Sequence, residues 1–548
     1  MEAKALISSR RNLLKGGVAA TFLALGGCQP KAAAAKHVAG FKPDLVPSSE
    51  TLGAWLKQLH DFGPIRVTGT PQCRAFEEHL ATEFAKLGCT VERDQFRLMT
   101  WEGYITNCSV SVTEDSGAKK DLTVIAYYPF AASTMGKPAA TGRLLWGGTG
   151  DKCGPEVLAK YTAAQLAEAI VVIDMPLRGG GTRGLPTYYP GTVPDPLPPA
   201  STAPQVKAQG GREIMTALEN KCRGLILCYS DVSEEGARYN YQPFSDVHRK
   251  IPAVWVGNTS VEYLKSVAGK ASVSVRCDAK LTPDARADSL LATLKGQTDE
   301  VVLLSTHTDG PNEINDNGAL GLLAIATYMA KIPEAERKRT FVFSLPTGHY
   351  AGGAVRDPVT GSGRPSGTRG NMEKYPDVVK RAVAHIAMEQ LGGMEWQDID
   401  YKWGPTGLPA QEFWLVTPPK EGEGGALDRS VTDASAKLFH AAIVGQDPKF
   451  ARSGLLKERL PGDTSLPAIG GGEGGAMRAA GIPGVDLMGN PQYFFRCDPK
   501  GVIDKMSPDV MRNVVQIATK MAVLMDRLSV DQLYGRAPIT DADLFSAD

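Results

Sequence analysis

The chain has no surplus of charge of either sign. Lys plus Arg number 60 and Asp plus Glu number 60, for a formal net charge of zero. That balance excludes a dedicated nucleic-acid binder, whose footprint would be basic. Long apolar runs are missing too. The apolar stretch near the N-terminus, Gly17 to Leu25, is shorter than the ~20 residues a permanent membrane helix needs. No Gly-x-Ser-x-Gly motif is present, so a serine hydrolase's strained nucleophile turn is not indicated. The nine cysteines do not fall in zinc-ribbon spacing; Cys73 and Cys89 flank a helical pattern instead.

What is present is ordinary globular composition, 43% hydrophobic and 22% charged, over 548 residues. That length suffices for two or three domains and a large core. The 59 Gly and 37 Pro predict plentiful loops. The N-terminus reads as a targeting segment. Ser9-Arg10-Arg11-Asn12-Leu13-Leu14-Lys15 resembles the twin-arginine export pattern, and Leu25-Gly26-Gly27-Cys28 resembles a lipoprotein cleavage box. A cleaved signal with an incidental cysteine is the alternative. The expectation is a bacterial envelope protein on the periplasmic side, held to the membrane only by lipid at Cys28. That compartment permits disulfides, but their pairing is not readable from sequence, and Cys222 and Cys228 are expected to be buried thiols.

The chain is organised around the stretch from Val301 to Gly353. Val301-Val302-Leu303-Leu304 reads as a buried parallel strand. His307 and Asp309, two apart at its C-terminal end, point to the same side. Asp316 precedes Asn317-Gly318 and an apolar helical run from Ala319 to Ile332, so its carboxylate falls near a helix N-terminus. A second strand pattern, Thr340 to Leu345, leads into Thr347-Gly348-His349-Tyr350. Ala382 to Glu389 reads as a further strand with His385, Ala387 and Glu389 on one face. Ligands of open α/β sheets bind at the carboxyl ends of the strands, so a His and two Asp there predict a metal or acid–base site.

This order of strand, His-x-Asp, Asp-Asn-Gly, helix, strand and Gly-rich turn resembles the co-catalytic zinc aminopeptidases. Their glutamate-carboxypeptidase-like and glutaminyl-cyclase-like relatives share it. The opening also resembles that family: an Arg66-Val67-Thr68-Gly69 loop, a helix from Cys73 to Leu87, and a strand from Thr90. Strand patterns at Ala169–Asp174, Cys222–Tyr229 and Ile251–Val256, with a helix from Gln205 to Asn220, resemble the protease-associated domain inserted in such peptidases. The resemblance implies an α/β fold: a mixed, mostly parallel sheet with helices on both faces, plus a smaller α/β insert. The expected segments are a signal at 1–28, a linker at 29–47, and the peptidase-like unit at 48–117 and 285–530. The insert covers 118–284 and a surface tail 531–548.

At the metal residues the likeness is partial. The family uses two zinc ions, five protein ligands and a catalytic Glu. Here His307 matches the first His, Asp316 the bridging Asp, and Glu389 stands where an Asp is usual. These three are the expected metal ligands, enough for one zinc with an open position and not for a secure pair. The family's Glu-Glu pair is absent, and His349-Tyr350 takes its place with a two-residue shift. His349 is therefore the expected proton carrier, with Asp309 orienting His307. Tyr350, Arg496 (near the family's last His) and Glu473 (in Gly470-Gly-Gly-Glu-Gly-Gly) are the expected substrate contacts. The implied function is an exported metal-dependent hydrolase of peptide, amide or ester bonds. The alternatives are a catalytically silent protein binding a ligand or partner at the cleft, and a metal-free acid–base enzyme using His349, His385 and Glu389.

Overall fold

Val301–Ser305 is a strand buried at every position, as an unbroken apolar run requires when both faces of a sheet are covered. It lies at the centre of a nine-stranded sheet in the computed structural model. The structure describes residues 36–150, 154–175, 210–244, 246–351, 355–416, 429–450, 452–457 and 472–546. The signal and lipid-box residues, Cys153, the 178–203 loop and the start of the Gln205 helix lie outside them. The sheet order is Val355–Arg356, Thr90–Gly103, Ala279–Leu294, Thr340–Leu345, Val301–Ser305, Ala382–Glu389, Gly484–Gly489, Glu412–Val416, Ser453–Lys457. The four strands from Thr340–Leu345 to Gly484–Gly489 run parallel, with antiparallel neighbours outside them. The fold is α/β with a mixed sheet, as expected, and its parallel part is the centre.

Alternation of side chains divides the packing between two faces. Val302, Leu304, Phe341 and Phe343 join one core with the helices Ser49–Asp61, Pro71–Lys86, Gly318–Ala330 and Pro508–Arg527. Val301, Leu303 and Val342 pack on the other face against Met372, Val378 and Met477. Each fully buried aliphatic side chain of this kind contributes about 1.5–3 kcal/mol. The helix starts follow local chemistry. The Ser48 hydroxyl accepts from the Thr51 amide, and Thr70 caps the next helix ahead of Pro71. Gly88 ends that helix region with φ of 85°.

Described residues between Ser109 and Arg276 form a second, eight-stranded sheet, and its core also takes in Trp101, Ile314, Tyr350 and Phe494 of the main unit. Its centre is the parallel set Ala140–Thr149, Ala169–Asp174, Gly224–Cys228 and Ala253–Val256. Its strands thus begin before residue 118 and end before residue 284. Cys222 and Cys228 are buried thiols.

The two chain ends differ from expectation. The sequence predicts a surface tail at 531–548 and a linker at 29–47. Instead Phe545–Ser546 pairs antiparallel with His37–Val38, and Leu533, Ile539, Leu544, Val38 and Val46 are buried in the main core. A few well-spaced apolar residues were enough to seat polar-looking segments, because the sheet-covering helices left an apolar surface to cover.

Candidate active site

The parallel strands end on one edge, and the polar residues of the site stand there. His307 follows Val301–Ser305 by two residues and is 1% exposed. Its Nδ1–H donates to the Asp309 carbonyl oxygen at 2.7 Å, which fixes the ring and leaves Nε2 facing Glu389 Oε2 at 3.8 Å. Glu389 is the last residue of Ala382–Glu389. Its Oε1 accepts the Glu473 amide at 3.0 Å and its Oε2 the Gln390 side-chain amide at 2.9 Å. Gln390 has φ of 56°, a left-handed conformation rarely adopted outside turns and functional sites.

His349, in the turn after Thr340–Leu345, brings Nδ1 within 3.0 Å of Glu473 Oε1 and is 30% exposed. Its ring stacks on His307, with centroids 4.6 Å apart and planes 11° apart. Its other face stacks on Phe244 at 5.1 Å and 12°. Phe244 belongs to the segment that forms the second sheet, so the second unit covers one side of His349. Glu473 is buried, and its Oε2 has no hydrogen-bond partner among the described residues. One ligand atom each from His307, His349 and Glu473 lies within 4.8 Å of the others, a set of three among the described residues.

Electrostatics reinforce this cluster. Burial lowers the His307 pKa, but Glu389, Glu473 and Asp309 outweigh it and push the value up to about 10. Burial raises the Glu389 pKa, but His307, His349 and the Glu473 amide outweigh that and hold it below its ordinary value. The cluster thus concentrates carboxylate charge around two imidazoles, an arrangement that favours a cation. An orphaned buried carboxylate oxygen beside two imidazoles also fits a missing positive partner. Two nitrogens and one carboxylate oxygen match the three-residue donor set of an open zinc site.

Several expected roles change. Asp316 stands outside this set. Its two oxygens accept from Arg66 Nε at 2.7 Å and Nη2 at 2.8 Å, and both side chains are fully buried. A guanidinium fork on a carboxylate opposes a second cation there. Asp309 orients His307 through its main-chain carbonyl, not its side chain, whose Oδ1 lies 4.0 Å from Nδ1. The Asp309 carboxylate accepts instead from the Thr68 hydroxyl and the amides of His349 and Tyr350, fastening the two loops to the strand end. Tyr350 is buried, and its hydroxyl donates to Asn315 Oδ1 at 2.9 Å, so it is engaged inside the fold. Arg496 donates to the Glu235 carbonyl at 2.8 Å and to Glu235 Oε1 at 2.7 Å. It joins the two units, its guanidinium committed to Glu235. His385 is enclosed between the Ile482 carbonyl and Asp486 Oδ1, so it does not work with His349 and Glu389. Sequence reasoning did not single out Phe244, Gln390 or the role of Arg66. Only Arg66 carried a signal, through its Arg-x-Thr-Gly loop.

No family model matches the chain, and no curated protein matches it in sequence. Solved structures do match in shape. The zinc aminopeptidase from Bacillus subtilis superposes with a TM-score of 0.54 at 14% identity, covering 91% of this chain and 99% of that one. A peptidase M28 precursor from Shewanella amazonensis gives 0.54 at 16% identity, covering 87% and 96%. The aminopeptidase from Aneurinibacillus sp. strain AM-1 gives 0.51 at 14% identity, covering 88% and 95%. The likeness is one of fold: this chain has the fold of the zinc aminopeptidases.

Proposed function

We propose that the protein is a metal-dependent hydrolase of amide or peptide-type bonds with a metal site reduced to one ion. The observation that carries this reading is the convergence of buried His307 and Glu473 with half-buried His349, with Glu473 Oε2 left without a hydrogen-bond partner among the described residues. These three residues would hold the ion. Bound there, zinc would supply Lewis-acid polarisation of a scissile carbonyl. The chain's own residues do the rest. The Asp309 carbonyl sets the His307 tautomer. Glu389, an ionised carboxylate 3.8 Å from His307, is the group to accept and return a proton. Phe244 shields His349 from water on one face. The second sheet is read as a protease-associated-type unit that narrows access to the site, and the substrate as a peptide or another small amide or ester.

The lock of Asp316 by Arg66 supports a second reading, a protein of this fold that binds a ligand without turnover. Metal analysis with a substrate screen separates them. Purified protein is expected to hold about one equivalent of zinc, lost in Glu473→Ala, and to hydrolyse a member of an aminoacyl-arylamide and dipeptide panel. Zinc-free wild-type protein with no hydrolysis after zinc addition would overturn the enzyme reading. Export and lipid attachment at Cys28 belong to the same proposal, supported by the Arg10-Arg11 and Cys28 patterns. Among the described residues no helix is long and apolar enough to cross a membrane.

A further inference from the structure

We propose that Cys108 and Cys277 form a disulfide that staples the neck through which the chain enters and leaves the second sheet. The argument begins with register. The ladder between Thr90–Gly103 and Ala279–Leu294 in the main sheet ends with Gly103 opposite Ala279. The ladder between Ser109–Glu114 and Ala271–Arg276 in the second sheet ends with Ser109 opposite Arg276. Cys108 is the residue before Ser109 and Cys277 the residue after Arg276, so the next rung sets them across from each other. Opposed residues of an antiparallel pair have Cα atoms about 4.5–5.5 Å apart, inside the range a disulfide spans.

Facing agrees with register. Val110 and Val112 on one strand, and Val273 and Val275 on the other, are buried in the core of the second sheet, with Val110 opposite Val275. Side chains alternate, so Cys108 and Cys277 continue that same buried face. The neck is held shut beside them: the Tyr104 amide donates to the Asp278 carbonyl at 2.9 Å, and the Cys108 thiol lies 3.4 Å from the Tyr104 carbonyl. The two thiols also interact. Hydrogen bonding with Cys277 draws the Cys108 pKa down, while the same contact and burial push Cys277 up. Cys108 is thus the readier nucleophile, and among the described cysteines it alone is partly exposed. The other five are buried, and Cys73 and Cys497 are engaged with Glu77 and Tyr127.

The oxidant is a small-molecule or protein disulfide. The Cys108 thiolate attacks one of its sulfurs, forming a mixed disulfide and releasing one thiol. The Cys277 sulfur then attacks Cys108 Sγ, and the second thiol leaves. The cysteine pair loses two electrons, the donor disulfide gains them, and the two cysteine protons end on the released thiols. The resulting bond closes a loop containing the whole second sheet, so it restricts the unfolded chain and fixes the unit that carries Phe244 to His349.

The test uses the full-length protein, reduced and then equilibrated with oxidised glutathione. Non-reducing peptide mapping is expected to find the Cys108 peptide linked to the Cys277 peptide, with two fewer titratable thiols. The thermal midpoint of wild type should rise by roughly 2–5 °C on oxidation, and that of Cys108→Ser should not. Mapping of the wild-type protein decides the matter even if the variant folds poorly. Both cysteines recovered as alkylated thiols after oxidation, or either one linked elsewhere, would overturn the proposal.

Discussion

Single residues account for most of the departures at the site, because burial changes what a charged side chain can do. Arg66 and Asp316 neutralise one another in a fully buried pair, so a carboxylate that a metal could have taken is committed to a guanidinium. Glu77 illustrates the other outcome. It is buried on the helix Pro71–Lys86, where Cys73 Sγ donates to one oxygen at 3.2 Å and the Asp288 amide to the other at 3.2 Å. Burial outweighs these contacts and pushes its pKa from 4.5 up to about 8. Glu412 is pushed up to about 8 by the same cause. The folded state then holds protons that the unfolded chain releases above pH 4.5. Their contribution to stability is full below that pH, falls as pH rises, and is gone above about 8. Urea unfolding should therefore give lower stability at pH 8 than at pH 5, with a smaller fall in Glu77→Gln. An identical fall in the variant would contradict the assignment.

Among the elements, the seating of Gly318–Ala330 decides where the strand-end residues stand. This helix is apolar nearly all round and buried, so packing rather than amphipathicity orients it. Its first residue touches the neighbouring strand. A Cβ on Gly318 would lie 2.2 Å from the Met388 carbonyl oxygen and 2.2 Å from Thr306 Oγ1. Asn317 adds a two-way bond to Leu391, donating to its carbonyl at 2.7 Å and accepting its amide at 2.8 Å. Gly318→Ala must displace the helix start from the strand that carries Glu389. It is expected to cost about 1–3 kcal/mol, read from the denaturation midpoint. Wild-type stability in that variant would show that the close approach is not required. The strand and helix types were legible because their apolar periods are long and unmixed, as at Val301–Ser305 and Ala382–Glu389. The pattern from Thr90 extends to a strand of 14 residues because it pairs from Thr90 to Gly103 with Ala279–Leu294.

At the scale of the whole molecule, two sheets and both described chain ends are tied together. Phe244 and Arg496 reach between the units, and Phe545–Ser546 closes against His37–Val38. Removing residues 536–548 would expose the sites now filled by Ile539 and Leu544. At about 1.5–3 kcal/mol for each buried side chain, the loss is roughly 3–6 kcal/mol. A marked fall in thermal midpoint is expected for the truncated protein, and an unchanged midpoint would mark the closing strand as dispensable.

The amino-acid sequence by itself determined the strand that leads to His307, the parallel centre of the sheet, and the edge on which polar residues gather. Those features depend on local apolar period and on the few ways a parallel sheet can be covered. It also brought His307, His349, Glu389 and Glu473 into consideration. Tertiary structure alone decided their partners: Glu473 with His349, Asp316 with Arg66, Arg496 with Glu235, and Phe244 over the imidazole. Such pairings join residues far apart in the chain through distances of a few ångströms, and hydrogen bonds and charge are only as strong as that geometry and its burial make them.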